Sequence, residues 1–193
     1  MKKDTLQIKY YGDPILQKKS SKIEEIDDEI RELVDKMLKA MRKNDGIGLA
    51  APQVGISKSL IVLDVNSEYL QHSSHISPGE AFLLPQMPIA LINSEIVFSS
   101  SDSITMEEGC LSVPEIYAPV TRPDSITLKA KMLSGEEINI DCAGFLSRAI
   151  QHEIDHLNGV VFIELLTAED YKSIKKKLDK LQKRNFKKGF FSR

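Results

Sequence analysis

His152 and His156 stand four residues apart in Gln151-His152-Glu153-Ile154-Asp155-His156, with a glutamate between them. On a helix, residues four apart lie one turn above each other, so both imidazoles can face one metal ion. Glu153 then lies beside the metal's open position, where a bound water needs a base. Phe145, Ala149, His152 and His156 fall at i, i+4, i+7 and i+11, on one face of a predicted helix over Ala143–Leu157. A plain core-facing stripe would carry four apolar groups there. Two imidazoles on it favour a metal site over a pair of ordinary hydrogen-bonded histidines. The pattern implies metal-dependent hydrolysis and names no substrate.

Two histidines need a third ligand, and a distal Glu or Asp, a distal histidine and Cys110 are the candidates. His72 and His75 lie in a Ser-rich stretch that reads as solvated surface, a poor setting for a rigid ligand. Cys110 sits in Glu107-Glu108-Gly109-Cys110-Leu111-Ser112 at the end of a predicted strand, where the preceding glycine permits close backbone approach. A thiolate binds soft or borderline divalent metals strongly. A Cys-His-His set also leaves one tetrahedral position for water. The competing reading makes Cys110 a small buried hydrophobe. Cys142 has no such setting and reads as structural.

The elements that must position these groups follow from periodicity. Ile30, Leu33, Val34, Met37, Leu38 and Met41 form one buried stripe of a helix over Asp27–Lys43, capped by Asp27 or Asp28 and stopped at Asn44-Asp45-Gly46. Strands are expected near Ser59–Val65, Ile89–Phe98, Ile104–Met106, Ser125–Leu133 and Glu137–Ile140, with a short one at Val160–Ile163. Asn66–Pro88, rich in proline and poor in pattern, reads as a long surface loop. Asn158-Gly159 closes the histidine helix, and a lysine-rich helix starts near Ala168. The class is α+β, with mainly antiparallel sheets around a central H-E-x-x-H helix and with N-terminal and C-terminal helices. Residues 1–166 are expected to be the catalytic domain, and 167–193 a basic helix and tail belonging to the same domain.

The 193 residues are enough for one well-filled core. The formal net charge of -2 hides an asymmetry: residues 171–193 carry ten Lys or Arg against Asp179 alone. A basic tail on an acidic body suggests a polyanionic partner. Met1-Lys2-Lys3 is followed by no apolar segment of a secretory signal, and no apolar run is long enough to span a membrane. Two cysteines make no disulfide framework, so a cytoplasmic, reducing location is expected.

Three motifs together resemble one family. Gly46-Ile47-Gly48-Leu49-Ala50-Ala51-Pro52-Gln53, Glu108-Gly109-Cys110-Leu111-Ser112 and Gln151-His152-Glu153-Ile154-Asp155-His156 are similar, in order and rough spacing, to those of bacterial peptide deformylases. Gly12-Asp13-Pro14-Ile15-Leu16 adds a fourth likeness, and the resemblance spans about residues 5–165. It implies a metal-dependent hydrolase that removes the formyl group from N-formylmethionine of new polypeptides, by attack of metal-bound hydroxide. Cys110, His152 and His156 become the metal ligands and Glu153 the general acid/base. The Gln53 side-chain amide and the Leu111 backbone N–H become donors to the oxyanion.

The resemblance implies further that Gly48 gives main-chain contacts to an extended formylated nascent peptide. Phe145 and Ala149 either line the methionine pocket or pack the core. The metal is typically Fe2+ in the family, with Zn2+, Ni2+ or Co2+ able to take the site. The basic C-terminal helix would reach the ribosome. Two other functions fit parts of the sequence. A zincin-like metallopeptidase would take Glu164 or Glu169 as third ligand, and an inactive ribosome-bound homologue would keep the fold alone.

Overall fold

The computed structural model describes residues 6–66 and 76–190, with side chains up to Lys183. Helix α1 (Asp28–Lys43) opens on Asp27, whose Oδ1 accepts from Ile30 N at 2.8 Å. Acidic residues in its first turn and Arg42 and Lys43 in its last complement the helix dipole. The predicted stripe faces inward, with Ile30, Val34, Met37 and Met41 buried.

A five-stranded antiparallel sheet follows in the spatial order β1 (Gly48–Ala50), β2 (Leu60–Leu63), β3 (Ile89–Ser99), β6 (Ser125–Met132), β7 (Glu137–Ala143). Both faces of its centre are covered, which is why β2 reads as the unbroken apolar run Leu-Ile-Val-Leu. Leu60 and Val62 face α1, whereas Ile61 and Leu63 face the core under α3 (Gly144–Leu157). A separate two-stranded hairpin of β4 (Ser103–Cys110) and β5 (Val113–Pro123) stands beside the sheet. A third core packs β5 against Phe162 and against Ile174, Leu178 and Leu181 of α4 (Ala168–Phe190). Among the described residues, no helix is long and apolar enough to cross a membrane.

Three local expectations are corrected. Strand β5 runs through a segment to which periodicity assigned no element. Pro114, Pro119 and Pro123 argue against a strand, but a two-stranded ribbon leaves each strand one free edge where proline costs no ladder bond. Asn66–Pro88 is not all loop: α2 (Pro78–Leu83) opens on a capping box, with Ser77 Oγ accepting from Glu80 N and Glu80 Oε2 accepting from Ser77 N. His72 and His75 lie outside the described residues. The short strand expected at Val160–Ile163 is instead a 3-10 turn over Phe162–Leu165, capped by Glu164 Oε1 accepting from Val161 N.

Cys142 is completely buried on β7 against Gly79 of α2, where a Cβ on Gly79 would come 2.3 Å from its Sγ. Burial, then the nearby Glu80 and Asp141, pushes its thiol up to about 12. At pH 8 almost no thiolate exists in the folded state. In a Cys110→Ala background, alkylation of Cys142 should therefore run roughly 10^3-fold or more below the rate of a free thiol. Labelling should become fast in denaturant, and fast labelling of the native protein would contradict this packing.

Candidate active site

Three chain segments meet at one cavity of about 550 Å³. Strand β1 and the 3-10 turn Ala51–Val54 bring Gly48 and Gln53, the end of β4 brings Cys110 and Leu111, and α3 brings Phe145, Ala149, His152 and Glu153. His156 lies behind them, 1% exposed. Cys110 Sγ is 3.2 Å from His156 Nε2, and the ligand atoms of Cys110, His152 and His156 all lie within 4.8 Å of one another. Burial opposes ionisation of the Cys110 thiol, yet His156 and His152 hold it well below the ordinary thiol value. A thiolate beside two imidazoles fits a single divalent ion of borderline character and leaves a fourth position open.

Gln53, 1% exposed, is oriented by its own backbone neighbourhood. Its Oε1 accepts from Ala50 N at 2.8 Å, which turns Nε2 toward Cys110 Sγ (3.3 Å) and Ser112 Oγ (3.2 Å). Glu153 is 5% exposed, and its Oε2 has no partner among the described residues. Burial pushes its carboxyl up to about 7, against the pull of His152 and His156. A Cβ on Gly48 would stand 2.3 Å from Glu153 Oε1, so glycine there is a packing requirement of the carboxylate. Phe145 and Ala149 line the cavity and also pack on the core.

The residues that orient this set escaped the sequence reading. Glu108 Oε2 stands 2.9 Å from His152 Nδ1, which leaves the other ring nitrogen for a metal. Arg122 donates to both Glu108 oxygens (2.6 and 3.0 Å) and to Asp155 Oδ2 (2.7 Å), and Arg148 donates to Glu108 Oε1 (2.6 Å). Burial resists ionisation of Glu108, but His152 and Arg122 hold its carboxyl at about 2. Glu108 and Asp155 lay inside the motifs with no role given. Arg122 and Arg148 carry no local signal, because their partners are 14 to 44 residues away.

Removing one partner of such a network strands buried charge. Glu108→Ala is expected to lower the free energy of unfolding by about 3–5 kcal/mol. Glu108→Gln, which keeps shape and one acceptor, should lose less. Urea unfolding of both metal-free proteins measures this, and a Glu108→Ala midpoint equal to wild type would refute it.

The downstream carboxylates a zincin-like site would need are elsewhere. Glu164 caps a turn and Glu169 lies in the first turn of α4. Comparison with known proteins gives a consistent answer. The model of the polypeptide deformylase family matches residues 5–172. A peptide deformylase of Picosynechococcus is 43% identical over 170 residues, covering 87% of this chain and 83% of its own. One from Methylacidiphilum infernorum is 40% identical, covering 92% and 93%. The crystal structure of a plant peptide deformylase superposes with a TM-score of 0.80 at 37% identity, over 95% of this chain and 92% of that one. That of the Synechococcus elongatus enzyme in complex with actinonin gives 0.77 at 37% identity, over 92% and 88%. With the matched region enclosing all three motifs and the whole cavity, the chain belongs to the polypeptide deformylase family.

Proposed function

We propose that the chain removes the N-formyl group from N-formylmethionine of newly made polypeptides, with the site residues in the following roles. The observation that carries this reading is the convergence of Cys110, His152 and His156 with Glu153 and Gln53 on one cavity. Cys110 Sγ and the two imidazoles would hold one divalent metal ion, which would supply Lewis-acid charge to the formyl carbonyl and acidify water. Ferrous iron is the ion we assign, with Zn2+, Ni2+ or Co2+ able to replace it, because the donor set suits all of them.

Glu153 accepts a proton from the attacking water and returns it to the departing amine nitrogen. A carboxyl poised near neutrality by burial can perform both transfers. Gln53 Nε2, fixed through the Ala50 N–H, and the Leu111 backbone N–H donate to the carbonyl oxygen as it gains charge. Strand β1 is an outer strand of its sheet, and an extended peptide added there would meet the backbone at Gly48. The methionine side chain occupies the apolar wall of Phe145 and Ala149.

Formate release from formyl-Met peptides by anaerobically prepared protein, with elemental analysis, tests these roles. Glu153→Ala should lower kcat/KM by about 10^2–10^4-fold while keeping its metal. Cys110→Ala should lose the metal itself. A Glu153→Ala enzyme of undiminished rate, or a Cys110→Ala protein with full metal, would overturn the assignment.

The enzyme works in the cytoplasm on this reading, and α4 reaches the ribosome. On the same reading residues 167–193 are part of the catalytic domain, which the burial of Ile174, Leu178 and Leu181 beside β5 and Phe162 supports. Deleting residues 168–193 would strip core as well as charge, so reversal of exposed charges is the cleaner test. Lys172, Lys176, Lys177, Lys180 and Lys183 are exposed on the described part of the helix. Changing them to Glu should weaken co-sedimentation with ribosomes, and wild-type binding should fall steeply as salt rises. Unchanged sedimentation of the charge-reversed protein would exclude this contact.

A further inference from the structure

Arg148 lies one turn before His152 on α3, lines the cavity and is 6% exposed. Its guanidinium is committed to the hairpin. One terminal nitrogen donates to Glu108 Oε1 at 2.6 Å and to the Val120 carbonyl at 3.0 Å, and the other donates to the Ile104 carbonyl. Ile104 and Glu108 belong to β4 and Val120 to β5, so a single side chain of α3 grips both strands. The thiol of Cys110 ends that same β4, whereas His152 and His156 stand on α3. Arg148 thus spans the two elements that must bring sulfur and nitrogen donors together.

The division of Glu108 between its oxygens sharpens the point. Oε1 accepts from Arg122 at 2.6 Å and from Arg148 at 2.6 Å, while Oε2 accepts from Arg122 at 3.0 Å and faces His152 Nδ1 at 2.9 Å. The Arg122 fork alone pairs the carboxylate to its own hairpin, because Glu108 and Arg122 sit on β4 and β5. Among the described residues, Arg148 alone ties Oε1 directly back to α3, against the pull of the imidazole on Oε2. A carboxylate held from both sides has its plane fixed, and its remaining lone pair is directed at one ring nitrogen.

We propose that Arg148 is a positioning residue for the metal site. By clamping Glu108 and both hairpin strands to α3, it sets the orientation of the His152 ring and the gap between Cys110 and the two histidines. This rests on the reading of Cys110, His152 and His156 as metal ligands. Arg122 performs the matching task one turn later, through Asp155 Oδ2 at 2.7 Å, so the two guanidiniums bracket His152 along the helix. Lysine is no equivalent at position 148, because one ammonium cannot span a carboxylate and two carbonyls with a planar fork.

The test uses the full chain with Co2+ alone as probe, since cobalt absorption reports ligand geometry. Wild type, Arg148→Met, Arg148→Gln and Arg148→Lys are compared by competition with a chelator and by the visible Co2+ spectrum, with circular dichroism and urea unfolding as controls. Folded Arg148→Met is expected to bind Co2+ about 10–100-fold more weakly than wild type, with an altered spectrum. Arg148→Lys should fall between the two. If Arg148→Met does not fold, Arg148→Gln is read by the same criteria. Wild-type affinity and spectrum in either uncharged variant, with only the unfolding midpoint lowered, would overturn the proposal and leave Arg148 a structural clamp. The ratio of variant to wild type is independent of turnover. A wild type that binds Co2+ but cleaves no formyl-Met peptide would count against the deformylase reading, and one that binds no Co2+ would count against the ligand set.

Discussion

A carboxylate only 7% exposed stays ionised when cations touch it, and Glu108 is touched by two guanidiniums and an imidazole. Coulomb attraction at contact distance in a poorly polarisable interior exceeds anything available to surface pairs. Desolvation cancels much of that gain, so the network contributes geometry more than net stability. It ties a two-stranded hairpin, a unit only marginally stable alone, to the central helix. Asp155, 25% exposed at its side chain, extends the same arrangement outward through Arg122. The third core supplies the apolar half of this attachment, with Val113, Ile116, Ala118 and Val120 facing Phe162 and α4.

Helix α3 shows how a short element serves packing and chemistry together. Leu146, Ala149, Ile150, Ile154 and Leu157 join the main core, yet Ser147, Arg148, Gln151, Glu153 and His156 are buried as well. Each buried polar group costs free energy unless it is bonded. Gln151 Nε2 donates to the Pro123 carbonyl at 2.9 Å and to Ser147 Oγ at 3.0 Å, and both terminal nitrogens of Arg148 donate to the hairpin. Glu153 differs from these: its Oε2 finds no partner among the described residues, and its burial raises its affinity for a proton. Within α3 the hydrogen bonds go to Gln151 and Arg148, while Glu153 Oε2 and His156 Nδ1 are left without a partner among the described residues.

What could be read beforehand was local, and what could not was long-range. Helix α1 carries its whole signal in sequence, as an apolar stripe between an Asp cap and an Asn-Asp-Gly stop. The histidine helix was legible for the same reason, and the cluster of Cys110 with the two histidines appears at the positions the motifs suggested. Strand β5 was invisible because its prolines are tolerated only when one edge is free, a fact of tertiary structure. Helix α2 did have a signal, Ser77-Pro78-Gly79-Glu80, which is a capping box with proline at the first turn. It was masked by its setting among other prolines. Arg122 and Arg148 could not be singled out, since a buried arginine reads like any other until its acceptors are known.

The same separation of scales governs the site itself. Cys110 comes from the end of β4 and the histidines from α3, 42 and 46 residues further along the chain. Neither segment presents the full donor set until hairpin and helix are packed together. Metal affinity and folding are then parts of one free energy, since whatever loosens the hairpin from α3 also separates sulfur from nitrogen. Gly48 adds a steric condition, because only a residue without a side chain lets β1 approach the Glu153 carboxylate. The chemistry therefore depends on three close approaches at once: thiol to imidazole, backbone to carboxylate, and guanidinium to both strands of the hairpin. Arg122 and Arg148, which tie the hairpin to α3, lie outside the three short motifs, which is why those motifs do not suffice to build the site.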